Sequence, residues 1–443
     1  VRRLLKLLYP GLGVKRWLLL MLFGLLVFLA ALFVLFMGIP GLKGLAELVY
    51  ARTEAAFGPE IWGLLLLLVG GLALIVYGAY RFLNTLFRDL APGEKAVDTL
   101  YQSRYLRRGP KLVVIGGGTG LSNLLRGLKE YTSNITAVVT VADDGGSSGK
   151  LRGELGMPPP GDIRNCLVAL ADTEPLLETL FQYRFTSGDS LGGHSFGNLF
   201  LAAMSQILGF TEGVKASGKV LAIRGKVLPV TEENIKLKAI FADGQEVWGE
   251  SNISRIPEAI QRLELVPEGS RALPEVLEAI LSADAIVMGP GSLYTSLLPN
   301  LLVGGVAQAV VASKGIKIFV CNIMTQVQET RSYTAAEHVE AIYRHVGTKL
   351  FQYVIVNNLP IGEDLLRRYA EEGAEPVAID WERLRQLEVK VLAAPLLQPG
   401  QVAWHDSRAL AKTVLTAALS QSHHASRLLD NLLLEAQLGK SPP

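Results

Sequence analysis

A doubly wound parallel α/β body behind a two-helix transmembrane hairpin is what this 443-residue sequence predicts. Three observations carry that expectation. Two long apolar runs without charge lie near the N-terminus. From Lys111 onward, short apolar runs alternate with helical patterns, and glycine-rich polar loops follow several of those short runs. A charged fraction of 19% lies below the usual quarter, and a mean hydropathy of +0.31 is high. A membrane segment ahead of an enzyme-sized body accounts for both. The composition excludes a disordered chain, and two cysteines exclude a disulfide scaffold. Cys166 and Cys321 lack CxxC or histidine-rich neighbours and read as buried thiols.

The hairpin comes first. Trp17 to Met37 and Ile61 to Tyr80 are free of charge. At a rise of 1.5 Å per residue, each makes a helix about 30 Å long, the thickness of a hydrocarbon core. A signal peptide would have a shorter apolar core and no second span. Residues 1 to 16 carry five basic residues and no acid, whereas the loop from Gly38 to Glu60 carries two bases against three acids. Seven bases and three acids follow from Arg81 to Lys111. This asymmetry puts both termini and the main body on the cytoplasmic side of an inner membrane crossed twice. Within that stretch, Arg104, Arg107, Arg108 and Lys111 read as a juxtamembrane anchor on the lipid bilayer. The net charge of +2 conceals +7 in residues 1–109 and −5 in the remainder. A mildly acidic body argues against nucleic acid as a partner.

The body, residues 110–420, opens with a strand at Leu112 to Ile115 and a helix at Leu121 to Tyr131. Further strands are expected at Ile135 to Val141, Ala285 to Met288, Ile316 to Cys321, Tyr353 to Asn357 and Val389 to Ala393. Near-continuous apolar strands separated by helices indicate a parallel, Rossmann-like sheet covered on both faces. Lys219 to Ser254 differs: it alternates, and Asp243-Gly244 lies between runs able to pair. A small antiparallel insertion is expected there. Residues 421–443 read as a surface helix and a frayed tail.

Several polar loops carry the candidate ligand-binding residues. Gly116-Gly117-Gly118-Thr119-Gly120 links the first strand to its helix. Its glycines allow a close approach to phosphate, and the helix start offers free N–H groups. The spacing fits neither the dinucleotide fingerprint nor a P-loop. Asp143-Asp144-Gly145-Gly146-Ser147-Ser148 follows the second strand, where an aspartate suits a ribose hydroxyl and the Gly/Ser run suits an anion. The two aspartates could instead carry Mg²⁺ through water. Asp162 is expected to cap the next helix, leaving Asn165 to reach a ligand. His194 and Asn198 stand in a glycine-rich turn into an apolar helix, without the spacing of a zinc site. A second anion site is expected at Gly289-Pro290-Gly291-Ser292 with Tyr294 and Thr295, and Asn322 and Thr325 follow the next strand.

The strings GGGTGLS, VADDGGSSG and PPGDIRN between Val113 and Asn165 resemble the gluconeogenesis factor (YvcK) family, which is related to the 2-phospho-L-lactate transferases of deazaflavin synthesis (CofD). GGHSFGN at 192–198, RGKVLPVT at 224–231, MGPGSLYTSLLPNL at 288–301 and MTQ at 324–326 extend the likeness across the body. The resemblance implies a protein that binds a nucleotide sugar, typically UDP-N-acetylglucosamine, without a required cofactor. It also implies a role in cell shape and envelope-precursor supply on gluconeogenic carbon, through an envelope-precursor enzyme as partner and with a homodimer as one possible assembly. Trp404 stands where many members carry a basic residue before the pair His405-Asp406. No nucleophile stands beside a base in the sequence, which favours binding over chemistry. The alternative is a Mg²⁺-assisted phosphotransferase acting on a deazaflavin acceptor, since such chemistry is mainly positioning and charge neutralisation. A dinucleotide oxidoreductase is a third reading, weakened by the broken fingerprint.

Overall fold

The computed structural model describes residues 14–37, 60–88, 106–172, 175–188, 191–256 and 258–420. The chain divides into two compact units, residues 1–104 and 105–443. Among the described residues the first contains two helices, Val14–Met37 and Glu60–Arg88. Their segments Arg16–Val34 and Leu65–Thr85 are long and apolar enough to cross a membrane. The helices run antiparallel and touch through glycines. A Cβ on Gly24 would fall 2.9 Å from the Gly71 carbonyl oxygen, and one on Gly71 would fall 2.9 Å from the Phe28 nitrogen. Such small residues let helix backbones approach closely.

The second unit is built on a seven-stranded sheet. Its strands are β1 (Leu112–Gly116), β2 (Ile135–Val139) and β3 (Lys226–Pro229), then β7 (Ala285–Met288), β8 (Ile316–Val320), β9 (Tyr353–Asn357) and β10 (Lys390–Ala394). All neighbours pair in parallel, in the order β10-β9-β8-β7-β1-β2-β3. Every residue of β1, β7 and β8 is buried, as strands covered by helices on both faces must be. The chain runs outward from β1 to β3, then returns to the far side of β1 and runs outward again from β7 to β10. The winding therefore reverses between β1 and β7, the place where such sheets bind ligands beyond their carboxyl ends.

The interval expected as one antiparallel insertion divides differently. Lys219 belongs to the helix Phe210–Val220, and β3 pairs in parallel with β2 as the edge of the main sheet. Pro229 is tolerated there because an edge strand leaves one side of its backbone unpaired. The hairpin forms at Asp243-Gly244, between β4 (Lys236–Phe241) and β5 (Glu246–Trp248). Its third strand, β6 (Ile260–Val266), lies beyond the expected interval and pairs with the other side of β4. The helix and tail expected at 421–443 lie outside the described residues.

Helix Thr119–Leu128 packs against helix Ser407–Leu419. A Cβ on Gly127 would strike the Ser407 carbonyl and come within 2.9 Å of Ala411 Cβ. Backbone cannot yield as a side-chain tip can. Gly127→Leu should therefore destabilise the chain by about 1–3 kcal/mol, the usual cost of overpacking, measured as a lowered denaturant midpoint.

Candidate ligand-binding crevice

The loop after β1 is shaped by the protein's own close packing. Gly118 occupies the N-cap of helix Thr119–Leu128 and offers no side-chain cap. Asp162 supplies one from outside, its carboxylate accepting the Gly118 N–H. This corrects the expectation that Asp162 caps its own helix: Gly161–Leu170 has Pro160 at its N-cap, and Asp162 reaches across to the neighbour. A Cβ on Gly117 would lie 2.6 Å from Ser296 Oγ, and one on Gly118 would strike Asp162 and lie 2.9 Å from Asn165 Nδ2. One on Gly120 would strike the Pro290 carbonyl. The loops after β1 and β7 thus meet backbone to backbone. Thr119 stays exposed at the rim.

The loop after β2 leaves an opening. Asp143 Oδ1 accepts the Gly145 N–H at 2.8 Å. Asp144 Oδ1 accepts the Ser251 N–H at 2.8 Å, tying the small β-insertion to this loop. Helix Gly146–Leu155 starts at once, and its N-cap, Gly145, makes no side-chain cap. Gly146 takes φ +48° with no neighbouring atom within 4 Å of a Cβ placed on it. A helix start of this kind presents free N–H groups and the positive end of a dipole. Asp143 Oδ2 and Ser148 Oγ face the start of Gly161–Leu170 from the same loop.

Beneath the opening runs a buried polar network. Arg164 donates to Ser195 Oγ, to Asn198 Oδ1 at 3.2 Å and to Asn165 Oδ1 at 2.8 Å. The Asn198 amide is thereby oriented, and its Nδ2 donates to Ser147 Oγ at 3.1 Å. Ser147 Oγ lies 3.0 Å from His194 Nδ1. Ser147, His194, Ser195 and Asn198 are all buried. The sequence did not announce this serine–histidine pair, whose members are far apart along the chain.

After β7, Gly289 and Gly291 take φ +84° and +153°. Asn322 braces this loop from β8, its Oδ1 accepting the Gly291 N–H at 3.1 Å and its Nδ2 donating to the Gly291 carbonyl at 2.9 Å. Gln326 Nε2 donates to Ser292 Oγ at 2.8 Å. The start of the following helix, expected to receive an anion, is already closed by an acid of the chain itself. Glu329 accepts the Tyr294 N–H at 3.0 Å and the Thr295 hydroxyl at 2.7 Å, and it is buried. Tyr294 is buried with its hydroxyl 3.0 Å from that of Tyr333. Thr325 Oγ1 accepts the Glu375 N–H at 3.0 Å. Tyr294, Thr295, Asn322 and Thr325 therefore all make framework contacts. The open part of the crevice lies along Thr119 and Gly120, Asp143 to Gly146, Asn165 and Gly291 to Ser292.

Burial sets the charges here. The Asp162 carboxyl is pushed up to about 7, first by desolvation and then by Asp143. Glu250, on the β-insertion, is pushed up to about 9 by desolvation and by Asp162, Asp143, Glu329 and Asp144. A protonated Glu250 and a partly protonated Asp162 leave the crevice less negative than its carboxylates suggest. Arg152 and Arg164 add positive charge, and Arg152 donates to the Ala142 carbonyl at 3.3 Å, under the β2 loop. Of these groups, Glu250, Arg152 and Arg164 were missed in the sequence as site residues, and only Arg164 lay within a recognised motif. Among the described residues no set of three His, Cys, Asp or Glu could hold a metal. Asp143 and Asp144 each spend one oxygen on a backbone N–H, so Mg²⁺ there would need ligand phosphates to complete its shell.

Comparison with known proteins gives concordant matches. The profile of the 2-phospho-L-lactate transferase CofD family matches residues 112–397. A putative gluconeogenesis factor from Nostoc sp. is 48% identical over 423 residues, covering 94% of this chain and 92% of its own length. That alignment extends well into residues 1–109. The gluconeogenesis factor of Bacillus subtilis is 48% identical over 308 residues, 69% of this chain and 97% of its own. The crystal structure of a UPF0052-family protein from Bacillus halodurans superposes with a TM-score of 0.67 at 48% identity, covering 69% of this chain and 99% of that one.

Two outcomes are expected. Glu329→Ala strands a buried N–H and a buried hydroxyl and should cost about 2–4 kcal/mol in denaturant unfolding. Asp162 binds its proton more tightly folded than unfolded, so its contribution to stability is full below its ordinary value of 3.8 and is lost as pH rises through about 7. Asp162→Asn should flatten the decline in stability between those values, read from unfolding curves at several pH values. An unchanged slope would contradict the burial of that carboxyl.

Proposed function

We propose that this chain, which belongs to the gluconeogenesis factor (YvcK, UPF0052) family of CofD-like proteins, is a membrane-tethered, cytoplasm-facing regulator that binds a nucleotide sugar, UDP-N-acetylglucosamine in the first instance. The observation that carries this reading is the uncapped start of helix Gly146–Leu155 beside the winding reversal. Its N–H groups suit the diphosphate, the free Asp143 oxygen suits a ribose hydroxyl, and Asn165 Nδ2 and Ser292 suit the sugar side. Ligand-bound and free states would differ at the β-insertion, which Asp144 ties to the same loop. A partner enzyme of envelope-precursor synthesis that favours one state would then be regulated. Such coupling would link carbon supply to cell shape, and the two apolar helices would hold the regulator at the inner membrane with both termini in the cytoplasm. A homodimer is compatible with this scheme.

A second reading is a phosphotransferase of the CofD type. The profile match over 112–397 favours it, as do the carboxylates gathered around Asp143. Phosphoryl-group chemistry needs little beyond positioning and charge neutralisation.

Calorimetric titration of the full chain with UDP-N-acetylglucosamine, with and without Mg²⁺, separates the readings. Saturable binding without consumption of the ligand is expected. Gly146→Asp places a carboxylate over the open helix start, at a left-handed φ of +48° that aspartate tolerates better than most residues, and should weaken binding at least about tenfold. Wild-type affinity in Gly146→Asp would overturn the assigned diphosphate site. Transfer of a phospholactyl group to a deazaflavin acceptor would favour the second reading.

A further inference from the structure

The hairpin unit holds a feature that membrane anchoring alone does not use. At one end of the helix pair, the Arg16 and Arg81 guanidiniums lie 4.8 Å and 4.6 Å from the centre of the Trp17 ring. The only acid in either helix is Glu60, at the opposite end. Two cations therefore share one aromatic ring with no carboxylate on these helices to balance them. Trp17 Nε1 and Arg81 Nε are buried without a hydrogen-bond partner. Both are donors only, so what they lack is an acceptor, and an arginine cannot be one for the indole.

An apolar groove continues from this cluster. Tyr77 packs edge-on against Trp17, with ring centres 6.1 Å apart, and also lines a cavity of about 600 Å³ with Phe23, Val27, Leu66, Leu67 and Gly70. From Tyr77 to Leu66 the helix descends about 16 Å at 1.5 Å per residue. We infer that the Arg16–Trp17–Arg81 cluster and this groove together bind one anionic phospholipid, the phosphate among the donors and an acyl chain along the groove. Charge complementarity selects the anionic head, since guanidinium pairs well with phosphate oxygens. Continuity of the groove selects a lipid over a free phosphate. The site is distinct from the basic cluster Arg104 to Lys111, and it rests on the reading that the helices span a membrane.

The test uses the full chain reconstituted in vesicles of equal parts dioleoylphosphatidylglycerol and dioleoylphosphatidylcholine. After detergent extraction, retained lipid is counted by native mass spectrometry. The wild type should keep phosphatidylglycerol over phosphatidylcholine by about thirtyfold, from two basic residues that each contribute on the order of a kcal/mol near the surface. Arg16→Gln with Arg81→Gln should abolish the preference. Gly70 has no atom within 4 Å of a Cβ built on it, so Gly70→Leu should fill the groove and cut retention without parting the helices, with helicity unchanged by circular dichroism. Equal retention of both lipids by an inserted wild type would overturn the site and leave the membrane reading standing. Displacement of the lipid by inorganic phosphate would overturn the role of the groove. A chain that alkaline carbonate releases from the vesicles would instead overturn the membrane reading itself.

Discussion

The contact between Gly120 and Pro290 is the constraint on which the crevice depends. The sheet reverses its winding between β1 and β7, so the loops after these strands must share one gap at their carboxyl ends. No side chain fits between them. Once the loops touch, Ser296 is pressed against Gly117, Asn300 donates to the Gly116 carbonyl at 3.1 Å, and Asn322 straps Gly291 from the next strand. The glycines of the first loop are thus required by the neighbouring loop, whatever ligand the crevice receives. What is left free is the side of the crevice toward β2, where helix Gly146–Leu155 begins.

The electrostatics follow from the same crowding. Two helix starts at the crevice are closed by the chain's own acids, Asp162 behind β1 and Glu329 behind β7. Each replaces water on N–H groups that burial would otherwise leave unmet. Desolvation raises Asp162, Glu250 and Glu329 above the usual carboxyl range, in that way limiting the negative charge they collect. An acid-rich crevice can then accept an anion at its one uncapped helix start among these three. The buried Arg164 network holds Asn165 and Asn198 in single orientations, which favours recognition of a ligand that already fits over rearrangement around it.

Close backbone approach also organises the hairpin. Gly24, Gly71 and Gly78 admit the opposite helix, whereas Gly63 and Gly70 face open space. The first set holds the pair together and Gly70 forms part of the groove wall. Glycine content alone does not distinguish these uses, because the difference lies in what stands opposite each residue.

Much of the architecture was legible in the sequence because it rests on local pattern. Apolar runs such as Leu112–Ile115 and Ala285–Met288 specify buried strands, long charge-free runs specify the two helices, and Asp243-Gly244 specifies a hairpin turn. The loops that line the crevice were legible too, since glycine and polar residues gather at the strand ends that a parallel sheet turns toward one edge. Contacts between distant segments were not. Lys226–Pro229 lies within a stretch that reads as a hairpin insertion, and only pairing with β2 makes it an edge of the main sheet. Asp162 reads as the cap of its own helix and instead caps the helix after β1. Glu329 lies 34 positions from the Thr295 hydroxyl it accepts, and Ser147 meets His194 across 47. Sequence alone determined which segments would be strands, helices and polar loops, because hydrophobic period and backbone preference act over a few residues. Tertiary structure decided which polar groups satisfy each other and which are left for a ligand, because that depends on distances set only when the sheet closes its order around β1.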